Sequence, residues 1–212
     1  MNIRETYNAK LAATVIGNLK KRQIEAVYCA TAQEACTTAL SYVNPGDSVS
    51  FGGSMTLEEA GILSALRDRS DIALIDRAKA QTPDETAKMY HDALSCNRYF
   101  MSANAITQSG ELVNIDGNGN RLAALIYGPQ QVIVVAGMNK IVPTVTDAVD
   151  RVRNTATPLN CIRLNRATPC ASTGVCSDCL SSDCICNQIV VTRRSGNPDR
   201  IKVILVGEAL GY

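Results

Sequence analysis

The run Gln131-Val-Ile-Val-Val-Ala136 sets five consecutive apolar residues behind one polar residue, and four of the five are β-branched. That length suits a strand, and an unbroken apolar run suits a strand covered on both faces. Such strands belong to parallel sheets flanked by helices, and the neighbouring sequence supplies the helices. Downstream, Thr144 to Asn154 places Val145, Ala148, Val149 and Val152 on one helical face. Upstream, Thr82-Pro83-Asp84-Glu85 offers an N-cap, a proline at the first helical position and the glutamate of a capping box, which open a helix over 84–95. That helix leads into a strand, Tyr99 to Ala103.

The alternation continues outward. Apolar strands are expected at Ile24–Ala30, Ser48–Phe51 and Ile72–Ile75, with further strands at Glu111–Asp116, Gln188–Arg193 and Ile201–Glu208. Between the first three lie a helix opened by Thr31 and Glu34 and running to about Val43, then a helix through Leu57, Ile62 and Leu66. Ile3, Tyr7, Leu11, Val15 and Leu19 recur every four residues, the stripe of an N-terminal amphipathic helix. Asn44-Pro45-Gly46-Asp47 is a turn. Strand and helix alternating over short connections predict an α/β fold, doubly wound around a mostly parallel sheet. The 212 residues are expected to form a single domain, 1–212, with a cysteine-rich insert at about 160–187.

Composition narrows the function. Lys and Arg number 21 against 20 Asp and Glu, so there is no electrostatic footprint for nucleic acid and no polybasic membrane anchor. Trp is absent and aromatics make up 4%, too few for base-stacking platforms. Mean hydropathy is -0.01. The first residues, broken by Arg4, Lys10, Lys20, Lys21 and Arg22, hold neither the apolar core of an export signal nor a membrane span, so a cytoplasmic location is expected. With one histidine, His91, any Ser-His-Asp or Cys-His device would hang on a helix-boundary residue, and none is expected.

In an open parallel sheet, ligands bind beyond the carboxyl ends of the strands. Three loops fall there. Gly52-Gly53-Ser54 brings backbone close to an anion and adds a hydroxyl. Ser102-Ala103-Asn104 follows a second strand, and Gly137-Met138-Asn139-Lys140 supplies a cation after a third. The run Asn114-Ile-Asp-Gly-Asn-Gly-Asn-Arg121 is richer in amides than a turn requires. It lacks the spaced acids and final glutamate of a calcium loop. The ligand-binding set expected from these loops is Gly52, Gly53, Ser54, Asn104, Thr107, Asp116, Asn118, Asn120, Arg121 and Lys140, with Arg121 clamping a carboxylate or phosphate. Glu58, one turn beyond the glycine loop, is the candidate general base.

Five of nine cysteines crowd between Cys170 and Cys186: Cys170, Cys176, Cys179, Cys184 and Cys186. In a reducing compartment such crowding favours metal ligation over disulfides. Four thiolates suit zinc or an iron–sulfur cluster, and the spacing does not choose between them.

Several of these motifs resemble the lactate-utilisation (LUD) domain family. They are Phe51-Gly-Gly-Ser-Met-Thr-Leu-Glu-Glu-Ala-Gly61, Ser102-Ala-Asn-Ala-Ile-Thr107, Gly110-Glu-Leu-Val-Asn-Ile-Asp-Gly-Asn-Gly-Asn-Arg121, Val134-Val-Ala-Gly-Met-Asn-Lys140 and Ile204-Leu-Val-Gly-Glu-Ala-Leu-Gly211. Thr168-Pro-Cys170 through Cys186 resembles its short, stand-alone branch, with Cys184 standing where that branch is expected to carry arginine. The resemblance implies Cys170, Cys176, Cys179 and Cys186 as the ligand set. It implies a fold like that of the phosphosugar isomerase and CoA-transferase superfamily. It also implies a role in lactate or related organic-acid oxidation, beside flavin or iron–sulfur oxidoreductase subunits. The reading favoured is a protein that binds a small anionic metabolite. The alternative is a non-catalytic iron–sulfur or zinc-binding accessory subunit.

Overall fold

The run at 131–136 lies inside the larger of two sheets. The computed structural model describes residues 2–212. Its elements open with α1 (Ile3–Lys21), β1 (Glu25–Cys29), α2 (Ala32–Ser41), β2 (Ser48–Phe51), α3 (Met55–Glu59), α4 (Ile62–Arg67) and β3 (Ala73–Ile75). Next come α5 (Pro83–Ala93), β4 (Arg98–Met101), β5 (Ala105–Thr107), β6 (Leu112–Asp116), α6 (Asn120–Ile126) and β7 (Gln131–Gly137). The chain continues through β8 (Ile141–Val142), α7 (Val145–Arg151), α8 (Thr157–Arg163), α9 (Pro169–Thr173), β9 (Gln188–Thr192) and β10 (Ile201–Val206).

Six strands in the order β1-β10-β7-β4-β2-β3 pair in parallel throughout. Strand β7 sits between β10 and β4, with Val134 level with Val203 and Met101. Successive side chains of a strand point to opposite faces. Val132, Val134 and Ala136 therefore join a core with Ala12, Val15 and Leu19 of α1 and Leu122 and Leu125 of α6. Ile133 and Val135 join the other core, with Ala35 and Ala39 of α2 and Leu57, Ile62 and Leu66 of α3 and α4. Each of these Val, Leu and Ile side chains, fully buried, contributes roughly 1.5–3 kcal/mol. This is the doubly wound α/β arrangement expected from the sequence.

A second, four-stranded sheet, β8-β5-β6-β9, lies apart from the first. The strand expected at Glu111–Asp116 and the one expected at Gln188–Arg193 both belong to it, paired antiparallel as β6 and β9. Only Gln108 to Glu111 separates β5 from β6. That connection is too short for a parallel crossover, which needs a dozen residues or more, so the pair closes as a hairpin. Ala105, Val113 and Ile115 of this sheet pack on Ala148 and Val152.

Two helices differ from expectation. The one through Leu57 and Leu66 is broken at Gly61, which takes a left-handed φ of 72°. The one expected over 144–154 runs on to Arg163, passing through a π-helical turn at Val152–Ala156. Pro158 follows that turn, and a proline has no N–H for the carbonyl one turn back. No helix among the described residues is long and apolar enough to cross a membrane.

Candidate functional site

Strands β2, β4 and β7 all end on the same edge of the large sheet, and the loops that follow them meet there. They enclose an open hollow of about 200 Å³. Of the residues expected from the sequence, Gly53, Ser54, Asn104, Asp116, Asn118, Asn120, Arg121 and Lys140 line it. Three do not. Gly52 is buried behind the rim, where a Cβ would stand 3.2 Å from Arg121 Cδ and 3.3 Å from the Tyr99 hydroxyl, so its role is to make room for Arg121. Thr107 is fully buried and hydrogen-bonds through its hydroxyl to Glu111 and Ser109, which ties the β5–β6 hairpin. Glu58 turns outward to Arg67, 3.7 Å away, whose guanidinium also holds the buried Asp76 at 2.9 Å. One turn of helix was enough to carry Glu58 past the rim, and the general-base expectation for it is corrected accordingly.

Lys140 is the chemical centre of the hollow. It is 3% exposed and lies in the short 3-10 turn after β7. Its Nζ donates to Thr56 Oγ1 at 2.7 Å and to Ser102 Oγ at 3.0 Å. An ammonium has three donors, so one N–H is left without a protein partner. Burial, and then the charges of Arg151 and Arg121, push its pKa down to about 7, against a smaller opposing pull from Glu59. Near neutral pH this amine is therefore poised between its two protonation states.

Arg121 has a different job from the one its position suggested. One terminal nitrogen donates to Ser102 O at 3.1 Å and Asn114 Oδ1 at 2.9 Å. The other donates to Asn104 Oδ1 at 2.9 Å and Ile115 O at 2.7 Å. All four terminal N–H groups thus point at protein acceptors, and Nε faces Asp116 Oδ2 at 3.4 Å. The guanidinium, carried by α6, fastens β6 to the loop after β4. It contributes charge to the hollow but has no fork free for a ligand. With Asn104 Oδ1 taken by Arg121 and by the Ile115 amide, the amino end of Asn104 is what remains for a bound molecule.

Three cations of the lining fell outside the motifs that stand out in the sequence: Arg77, Arg163 and Arg166. Arg77 lies over the Tyr90 ring and donates to its hydroxyl at 3.1 Å. Arg163 binds Asn160 Oδ1 at 2.7 Å, and Arg166 approaches Asp183 at 3.7 Å. Each lies in a loop or at a helix end, where lone arginines are ordinary, and only the fold shows that they converge. The lining therefore holds Lys140 and four arginines against one carboxylate, Asp116.

A family model for the LUD domain matches residues 12–206. The chain belongs to the LUD domain family. Among solved structures, the LUD-domain chain is similar to a DUF162 family protein from Deinococcus radiodurans at 13% identity, with a TM-score of 0.55, over 94% of this chain and 98% of that one. It overlaps ribose 5-phosphate isomerase A from Neisseria gonorrhoeae at 15% identity, with a TM-score of 0.35, over 54% of each chain. The tetrameric eIF2B-beta2-delta2 complex from C. thermophilum overlaps at 17% identity and a TM-score of 0.39, over 80% of this chain and 53% of that one. No curated protein matches.

Behind the LUD domain's cationic hollow lies a second one, of about 130 Å³. Six cysteines line it: Cys161, Cys170, Cys176, Cys179, Cys184 and Cys186. Cys161, from α8, lay outside the expected cluster because nothing in its local sequence sets it apart. All nine cysteines are free thiols. Burial pushes the Cys186 thiol up to about 11 and raises that of Cys161. Among the described residues, no three His, Cys, Asp or Glu side chains are grouped so as to hold a metal ion.

Proposed function

We propose that this LUD-domain protein binds a small anionic metabolite, a carboxylate or phosphate, in the hollow over the strand ends. The observation that carries the reading is Lys140, buried with one N–H unpartnered in a lining that also holds Arg77, Arg163 and Arg166. A buried ammonium without a counter-ion is costly, and an incoming anion relieves that cost. A monoanion would need one cation. The arginines around Lys140 suit a ligand with two or more negative charges, or a carboxylate with further polar groups. Arg121 serves as the frame of the site rather than as the clamp. The same amine, able to exchange a proton near neutral pH, is the acid–base group that an isomerase- or transferase-type reaction would use, in the place first given to Glu58. The link to lactate or related organic-acid oxidation is drawn from the resemblance of the motifs.

Thermal or chemical denaturation in the presence of inorganic phosphate, L-lactate, pyruvate, phosphosugars and CoA esters tests this. A ligand at about 100 times its Kd adds roughly 2.7 kcal/mol to stability. At least one of these anions is expected to stabilise the protein, with the gain lost in Lys140→Met. Failure of every anion, or an undiminished gain in Lys140→Met, overturns the reading.

A further inference from the structure

Two lysines among the described residues are buried, and they are held in opposite ways. Lys202 ends on the carboxylate of Glu25, and that pairing favours its charged form. Lys140 ends on two hydroxyls, those of Thr56 and Ser102. Glu59, whose charge pulls weakly on Lys140, accepts instead from the Gly211 amide at 2.7 Å. The direction of the Lys140 bonds decides what its amine offers. A hydroxyl has one proton to give. Thr56 gives its proton to Leu210 O at 3.2 Å, and Ser102 gives its own to Ala103 O at 3.2 Å. Both oxygens therefore accept from Lys140, and two of its N–H bonds are committed whether or not the nitrogen is charged. The position left over carries a proton in the ammonium and a lone pair in the neutral amine. Lys140 lines the cationic hollow, so that position is what a bound molecule meets.

We propose that Lys140 is a nucleophile that forms an imine with the aldehyde or ketone carbon of a small anion, whose charged end the arginines of the lining hold. The substrate class is a carbonyl-bearing anion: a 2-oxo acid or an open-chain sugar phosphate. This rests on the anion-binding reading of the hollow and adds a covalent step to it. The step needs no oxidant or reductant. The lone pair of the neutral Nζ attacks the carbonyl carbon and forms the C–N bond. The carbonyl π bond breaks onto oxygen, which takes a proton to give a carbinolamine. The nitrogen then expels that hydroxyl, which takes a second proton and leaves as water. The two protons in the water are the two that the nitrogen gives up.

The surroundings divide the work between lysine and arginine. Arginine stays charged at any working pH and suits the carboxylate or phosphate end. Lys140 is desolvated and stands near the charges of Arg151 and Arg121, the setting that frees a lysine lone pair for attack on a carbonyl. Two glycines make the arrangement possible. A Cβ on Gly53 would stand 2.5 Å from a terminal nitrogen of Arg77, so glycine there lets that cation lie against the loop. A Cβ on Gly211 would stand 3.3 Å from Lys140 Nζ and 2.5 Å from Thr56 Oγ1, and φ at Gly211 is a left-handed 58°. Only glycine lets the chain close in on the amine at that point.

An acid–base lysine and a nucleophilic one differ in what a reductant can trap. The chain is incubated at pH 7 with sodium cyanoborohydride, which reduces an imine to a stable secondary amine, and with pyruvate or glyceraldehyde 3-phosphate. L-lactate, an anion without a carbonyl, is the parallel arm. Intact mass and peptide mapping are the readouts. At pH 7 an ordinary lysine is neutral in about one part in 2,500, whereas Lys140, with its pKa of about 7, is neutral in about half. Labelling of Lys140 is therefore expected to exceed that of each of the six other lysines by about a hundredfold or more. It should appear with at least one carbonyl anion, be absent with L-lactate and vanish in Lys140→Arg. Labelling by pyruvate alone assigns 2-oxo acids, and by glyceraldehyde 3-phosphate alone sugar phosphates. Mapping uses the unaltered chain, so it decides the matter even if Lys140→Arg does not fold. Labelling spread evenly over the lysines overturns the proposal. Stabilisation by L-lactate or inorganic phosphate with no adduct from either carbonyl anion overturns the imine and leaves the anion reading standing. Neither stabilisation nor adduct overturns both.

Discussion

The cationic hollow gathers its side chains from stretches near residues 53, 77, 102 and 140, which follow β2, β3, β4 and β7 of the six-stranded sheet, and from the ends of β6 and α8 near residues 116 and 163. The thiol hollow takes five of its six cysteines from one stretch, 170–186, most of it without regular structure. The first is a product of topology, since parallel strands bring their following loops together whatever the distance in sequence. The second is a product of composition, since its cysteines lie close together along the chain. The first should therefore be rigid before its ligand arrives.

Three perturbations sharpen or break that contrast. The largest is Arg121→Leu. It removes four hydrogen bonds and leaves Asp116 and four carbonyl-type acceptors without their cation, at a cost of about 3–5 kcal/mol. Urea denaturation of the variant measures it. A cost below about 1 kcal/mol would mean that the rim does not depend on this guanidinium.

Next is the pH dependence set by Lys140. Its folded pKa, about 7, lies below the ordinary lysine value of 10.5. Above about pH 7 the unfolded chain thus holds a proton that the folded chain has released. Stability should rise by something of order 3 kcal/mol between about pH 7 and about pH 10 relative to Lys140→Met, and the two should run parallel below that range. Anion affinity should move the other way, falling roughly tenfold for each pH unit above about 7, because a neutral amine attracts no anion. Parallel stability curves across the whole range would show that the amine is not buried as described.

The smallest effect belongs to Glu58→Gln. Glu58 is half exposed and 3.7 Å from Arg67, so stability should change by less than about 0.5 kcal/mol, with anion affinity unaltered. A loss of affinity would return Glu58 to the site.

The contrast also explains what could be read without coordinates. The α/β alternation, the strand at 131–136 and the three strand-end loops were all legible, because a doubly covered strand and a helix cap each leave a local signature. The crowding of Cys170 to Cys186 was legible as composition. What was hidden is what depends on orientation or on distant partners. Glu58 and Gly53 lie in one short loop and helix, yet only Gly53 faces the hollow. Arg77, Arg163, Arg166 and Cys161 carry no local mark and acquire meaning only by convergence. The separate pairing of β6 with β9 was hidden too, because a strand's sequence does not name its partner.

The π-helical turn at Val152–Ala156 sits upstream of Thr157, Asn160, Cys161 and Arg163, which are shared out between the two hollows. A π turn is an α-helix holding one surplus residue. Deleting a single position there would let the helix wind regularly and swing everything after it by roughly 100° about the axis. The surplus residue thus works as an indexing pin: it dials the far half of one continuous rod to the setting at which it serves two chambers at once.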